Sequence, residues 1–249
     1  MTEPLFDFVS NFVANYVSDD SERAEEESAY ITSVLERAFD LFEVEWLGGG
    51  NYGLAAGVMG DRVLKLTTDP DEVRAASVVA LHPLPHVVRT YGAWFLPIPE
   101  RKEPIGVVFM ERVSRMDQDP NAQIISSIVS SVKNDFRAWG HFLARMDPKR
   151  AREKLRQASI ELEMRLYIAG QSSSNRQLFQ DIGSALRELR EIGIYAIDPH
   201  RANIGYSDKD DAYKVFDLGT SSVPDKTVPM LTTQPVGVAP MATEVPTLE

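Results

Sequence analysis

Gly48, Gly50 and Gly53 stand in the spacing G-x-G-x-x-G, a stretch with so little side-chain bulk that its backbone can approach phosphate oxygens and offer them N–H groups. Two arrangements use that spacing. A helix follows the glycines directly where a dinucleotide is bound, whereas a strand-turn-strand hairpin follows where they close over a nucleotide's phosphates. Here residues 54–59, the Gly60-Asp61 turn and residues 62–66 read as the hairpin. Lys65 sits among apolar neighbours in Val63-Leu64-Lys65-Leu66, so its ammonium needs an anionic partner. Glu72, one turn into the next helix, can supply that partner and hold the cation toward phosphates. Later in the chain, Asp198 and Asn203 stand five apart in Asp198-Pro-His-Arg-Ala-Asn203, and Asp217-Leu-Gly follows. Two carboxylates and a carboxamide are all oxygen donors, which suits Mg²⁺ and the orientation of a hydroxyl nucleophile.

The elements that must position these groups follow from periodicity. Leu5, Phe8, Val9, Phe12, Val13 and Tyr16 form an apolar stripe at helical spacing, and a second helix over about 24–41 carries Ile31, Val34, Leu35 and Ala38 on one side. Residues 1–42 therefore read as a helical extension. From Glu43 short extended runs at 44–47, 54–59 and 62–66 predict a small antiparallel sheet. Asp69 as cap and Pro70 in the first turn open a helix to about Leu81, and strands follow near 87–91, 93–96 and 106–110. Past Val113 the pattern turns helical, with apolar positions between 124 and 142, a charged helix over about 148–169 and another over 176–191 that stops at Gly193. Extended runs at 194–197 and 213–216 flank the last chemical groups, with a polar turn at 207–211. From Val223 prolines recur without periodicity, which predicts a mobile tail over 223–249.

The order of these parts carries a resemblance. Glycine hairpin, strand lysine, helix glutamate, a long helical middle, D-x-x-x-x-N and then D-x-G make residues 43–222 similar to the protein-kinase-like superfamily. Segment 82–92, His-Pro-Leu-Pro-His-Val-Val-Arg-Thr-Tyr-Gly, looks like the kinase connection from helix to strand, and segment 107–113, Val-Val-Phe-Met-Glu-Arg-Val, looks like a kinase hinge. The resemblance implies an α+β, two-lobed protein-kinase-like fold, with a five-stranded antiparallel sheet and one helix over 43–113 and a mainly helical, truncated lobe over 114–222. It implies ATP and Mg²⁺ as cofactors. Gly48, Gly50 and Gly53 would cover the phosphates, Lys65 would bind them, and Glu72 would orient Lys65. Met110 would be the gatekeeper, with the backbone of Glu111 and Val113 facing adenine. Asp198 would accept the substrate's hydroxyl proton, and Asn203 and Asp217 would hold Mg²⁺. Ala196-Ile197 stands where His-Arg is usual, His200, a catalytic candidate on this resemblance, stands two after the aspartate as in aminoglycoside-type kinases, and no Ala-Pro-Glu follows Gly219. That truncated layout is similar to the short serine/threonine kinases of T7-like phages.

The implied activity is Mg-ATP-dependent phosphorylation of a protein serine or threonine. Alternatives are a small-molecule kinase acting on a hydroxylated substrate, a pseudokinase using its N-terminal helices as a partner surface, and nucleotidyl transfer from an inverted ATP. Thr220, Ser221 and Ser222 are candidates for self-phosphorylation. Composition narrows the rest. The absence of cysteine excludes disulfides and thiolate metal sites, and the four histidines are too scattered to suggest a zinc site. A net charge of −11 disfavours nucleic acid, and the basic run around Lys149, Arg150, Arg152, Lys154 and Arg156 reads as a solvated helix face. No apolar stretch approaches the roughly 20 residues of a membrane span, and the first residues lack a secretory pattern, so a cytoplasmic location without membrane contact is expected.

Overall fold

Three helices begin at Asp-Pro. In each the aspartate side chain accepts backbone N–H bonds from the first turn, and the proline occupies a position where no N–H is needed. Asp69 caps α3 (Pro70–Leu81), Asp119 caps α4 (Pro120–Asp135) and Asp147 caps α5 (Pro148–Gln171). Asp20 and Asn175 do the same for α2 (Ser21–Phe39) and α6 (Arg176–Glu191), while α1 (Leu5–Tyr16) follows Pro4 without a side-chain cap. These elements come from a computed structural model that describes residues 2–18, 20–58, 60–138, 143, 145–196, 198–219 and 228–231. The self-phosphorylation candidates Thr220, Ser221 and Ser222 lie outside the described residues.

The chain is a mixed α+β structure with six helices among the described residues. Its main sheet is antiparallel and has six strands, where five were expected. β1 (Thr2–Pro4), β2 (Glu43–Gly49), β3 (Gly53–Val58), β4 (Arg62–Thr67), β5 (Thr90–Leu96) and β6 (Ile105–Glu111) lie in the order β1-β2-β3-β4-β6-β5. The extra strand is β1, which pairs Thr2 with Glu45 and Pro4 with Glu43. Three residues ending in proline have too short a run to give a period-two pattern, and proline is tolerated at a sheet edge.

Both faces of this sheet are covered. Leu5, Phe8, Val9, Phe12 and Val13 of α1 pack with Ile31, Val34 and Leu35 of α2 against Leu54, Ala56, Leu64, Leu66 and Val107. The apolar stripes of the N-terminal helices are therefore buried within the chain itself. On the opposite face, Val73 and Ala76 of α3 meet Ala93 and Val108, while Ala75, Val78 and Val79 of the same helix join the helical core of α4, α5 and α6. One helix thus belongs to two apolar clusters, and it carries Glu72.

A second, three-stranded sheet joins β7 (Ser114–Arg115), β8 (Ile204–Ser207) and β9 (Ala212–Val215). The polar turn expected at 207–211 is present and closes a hairpin whose first strand is β8. Residues 194–196 form no ladder in either sheet; Ile194 and Ala196 are buried in the helical core, which accounts for an apolar run that imitates a strand. Residues 228–231, expected in a mobile tail, run parallel beside β5: Phe95 N–H donates to Pro229 O at 3.0 Å, and Leu231 N–H donates to Phe95 O at 2.8 Å. Val228 packs between α3 and the sheet, and Leu231 is 1% exposed. No helix among the described residues is long and apolar enough to cross a membrane.

Candidate active site

The residues that the sequence marks for chemistry line one cleft of about 1430 Å³, between the main sheet and the β8–β9 hairpin. The glycines sit where β2 turns into β3, so a strand and not a helix follows them. Gly50 N–H donates to Gly53 O at 2.9 Å and closes the turn. Two of these glycines are dictated by geometry. Gly48 has φ 141°, which L side chains rarely adopt, and a Cβ at Gly53 would stand 2.0 Å from Leu66 O on β4. Gly53 is thus a residue of close strand packing, while the space around Gly50 is open.

Alternation along β4 turns Lys65 toward the cleft while Leu64 and Leu66 are fully buried. Its Nζ contacts Glu72 Oε1 from α3 and lies 3.0 Å from Asp217 Oδ2. Burial opposes the ammonium's charge, yet the Glu72 and Asp217 carboxylates outweigh it and hold the Lys65 pKa above the ordinary lysine range. Glu72 moves the other way for an acid. Burial raises its carboxyl, Lys65 pulls it down, and Asp217 adds to the rise. Two carboxylates facing one ammonium leave surplus negative charge in the cleft, and Asp69, whose pKa burial also raises, stands nearby.

The loop before β8 is held mainly through its backbone. His200 N–H donates to Asp198 O at 2.8 Å, and Asn203 Nδ2 donates to the same oxygen at 3.1 Å. His200, a catalytic candidate by sequence, has its Nδ1 accepting from Ala202 N–H at 3.2 Å, which makes it the cap of a single 3-10 turn (Arg201–Asn203). Asp217 adopts φ 59°, a left-handed conformation that aspartate tolerates better than most residues. In the segment 107–113, Met110 and Val113 line the cleft. Glu111 N–H is bonded to Arg89 O at 2.8 Å, and its buried carboxylate accepts from Ser207 Oγ at 2.9 Å and pairs with Lys214 Nζ at 2.8 Å. Glu111 thereby ties the end of β6 to both strands of the hairpin.

Two contacts were missed in the sequence. Lys133 of α4 places Nζ 2.8 Å from Asp198 Oδ1. It lies in the helix's own buried stripe with Ile125, Val129 and Val132, and a cation in an apolar stripe was the available clue. Tyr16, at the end of α1, donates its hydroxyl to Gly50 O at 2.7 Å, so the N-terminal helix holds the glycine turn from outside. Tyr16→Phe removes one such bond, about 1 kcal/mol. Amide exchange within residues 50–53 is expected to quicken about fivefold while the melting temperature falls by only about 2–4 °C, as hydrogen-exchange mass spectrometry and thermal melts can check.

No protein-family model matches the chain, and no curated protein matches it.

Proposed function

We propose that the chain is a Mg-ATP-dependent phosphotransferase of minimal protein-kinase-like type, two-lobed about this cleft, acting on a protein serine or threonine. The observation that carries this reading is the convergence of Lys65 on Glu72, from the helix that follows its strand, and on Asp217, from far along the chain, beside a glycine turn. A sheet lysine fixed between two carboxylates is suited to holding phosphates, because its charge stays in place and its direction is set.

In this reading the turn that spans Gly48, Gly50 and Gly53 covers the triphosphate, Lys65 binds its phosphate oxygens, and Glu72 keeps Lys65 aimed. Asp198 takes the proton of the acceptor hydroxyl as the acceptor oxygen bonds to the γ-phosphorus and the bond to the ADP oxygen breaks. Placement and charge compensation supply most of the rate. The donor chemistry fits Mg²⁺. Among the described residues no cluster of three or more metal-ligating side chains exists, and Mg²⁺ needs none, since it takes one or two protein oxygens and completes its shell with phosphates and water. Asp217 and Asn203 would hold it, and it would neutralise phosphate charge.

One observation favours a smaller acceptor as the second reading. Only residues 220–227 separate Gly219 from the stretch that lies beside β5, a short span in which to build a peptide-docking segment. Mass spectrometry of the protein after incubation with Mg-ATP and either a cell lysate or hydroxylated metabolites tests both readings. The expected result is addition of phosphoryl groups to the chain itself or to lysate proteins, absent with Asp198→Asn. Label on metabolites alone would favour the second reading, and an added AMP mass would mean nucleotidyl transfer. Equal labelling by wild type and Asp198→Asn would reject all three.

A further inference from the structure

We infer that Lys133 is a positioning residue that sets the orientation of the Asp198 carboxylate, an inference that rests on the phosphotransferase reading above. Lys133 is 6% exposed and Asp198 opens onto the cleft. An ammonium taken this far out of water is costly unless paired and hydrogen-bonded, and here it meets the one carboxylate proposed to receive the acceptor's proton, at 2.8 Å. The rest of the loop is anchored to the same helix. Arg201 N–H donates to Ser126 Oγ at 2.8 Å, and Ser126 and Lys133 lie two turns apart on one face of α4.

The helix therefore works as a rail with two contacts. Ser126 fixes the backbone just past His200. Lys133 fixes one carboxylate oxygen, and with it the rotation of the carboxylate about its Cβ–Cγ bond. The carbonyl of Asp198 is held separately by His200 and Asn203, so the side chain needs its own restraint to present an oxygen to a hydroxyl within about 3 Å. Lys133 reaches neither nucleotide nor acceptor in this account. It acts through Asp198.

The test is steady-state kinetics of Lys133→Met, Asp198→Asn and the double variant, with nucleotide binding followed as the rise in melting temperature on adding Mg-ADP. For Lys133→Met, kcat is expected to fall about 10²-fold, while KM for ATP and the Mg-ADP shift stay within about twofold. The double variant is expected to be no slower than Asp198→Asn alone, because residues that act as one unit do not add. Wild-type kcat in Lys133→Met, or additive losses in the double variant, overturns the inference and leaves the phosphotransferase reading standing. Absence of transfer by the wild type removes both. If Lys133→Met does not fold, Ser126→Ala decides: it leaves the buried ammonium paired, and about a fivefold loss of kcat at unchanged Mg-ADP shift is expected for one hydrogen bond. No loss there refutes the rail.

Discussion

Asp217→Asn is expected to lower phosphoryl transfer at least about 10³-fold while leaving the fold as stable as before, or slightly more so. The stability half follows from the site's charges. Lys65 keeps Glu72 after the change, so no buried cation is orphaned, and loss of its pair with the part-exposed Asp217 is offset because the repulsion that Asp217 adds to Glu72 disappears. Asparagine is also among the residues that best accept the left-handed backbone at φ 59°. The activity half follows from the donor set. Asp217 is the only charged group proposed for Mg²⁺, and losing the charge compensation it secures costs several kcal/mol in the transition state, or about 10³-fold in rate. Parallel urea titrations and labelling assays measure the two halves separately. A proportional loss of both would mean that Asp217 is structural.

Lys65→Met should show the opposite coupling, with activity and stability falling together. Removing the ammonium leaves Glu72, 4% exposed, and Asp217 as unpaired like charges in one cleft. Breaking a buried pair from one side costs about 3–5 kcal/mol, roughly 10 °C of melting temperature for a chain of this size. The deficit must depend on pH, with a definite sign. A glutamate whose folded pKa is raised is penalised when ionised, so its favourable contribution is complete below the ordinary value of 4.5 and is lost as pH rises through the folded value. Lys65→Met should therefore melt furthest below wild type at neutral pH and close the gap under acid conditions. Lys65→Met/Glu72→Gln should regain much of the stability at neutral pH and none of the activity. A gap that stays constant with pH would show that Glu72 is not the group left unpaired.

Local chemistry was legible because it is local. Asp69-Pro70 announces α3 by its own hydrogen bonds, Gly60-Asp61 can only be a turn between two apolar runs, and a lysine inside Val63-Leu64-Lys65-Leu66 declares its need for a counter-ion. What escaped was whatever depends on the partner. The stripe of Leu5, Phe8, Phe12 and Val13 says that a face is covered but not by what, and here it is the chain's own sheet. Tyr16 on Gly50, Lys133 on Asp198 and Lys214 on Glu111 join residues far apart in sequence, and such pairs leave no periodic trace. Ile194 and Ala196 misled because burial among helices and burial in a sheet select the same apolar residues.

The stretch at residues 228–231 has a consequence for solubility. A sheet's outermost strand normally presents a row of unsatisfied amides to any passing chain, which invites aggregation by strand addition. In this protein one margin ends in Pro4, which has no N–H to donate, and at the other margin Phe95 already exchanges hydrogen bonds with Pro229 and Leu231. The polypeptide thus supplies its own blunt ends, and the segment after the Asp-Leu-Gly turn guards the sheet against its neighbours as well as packing on the helix that carries Glu72.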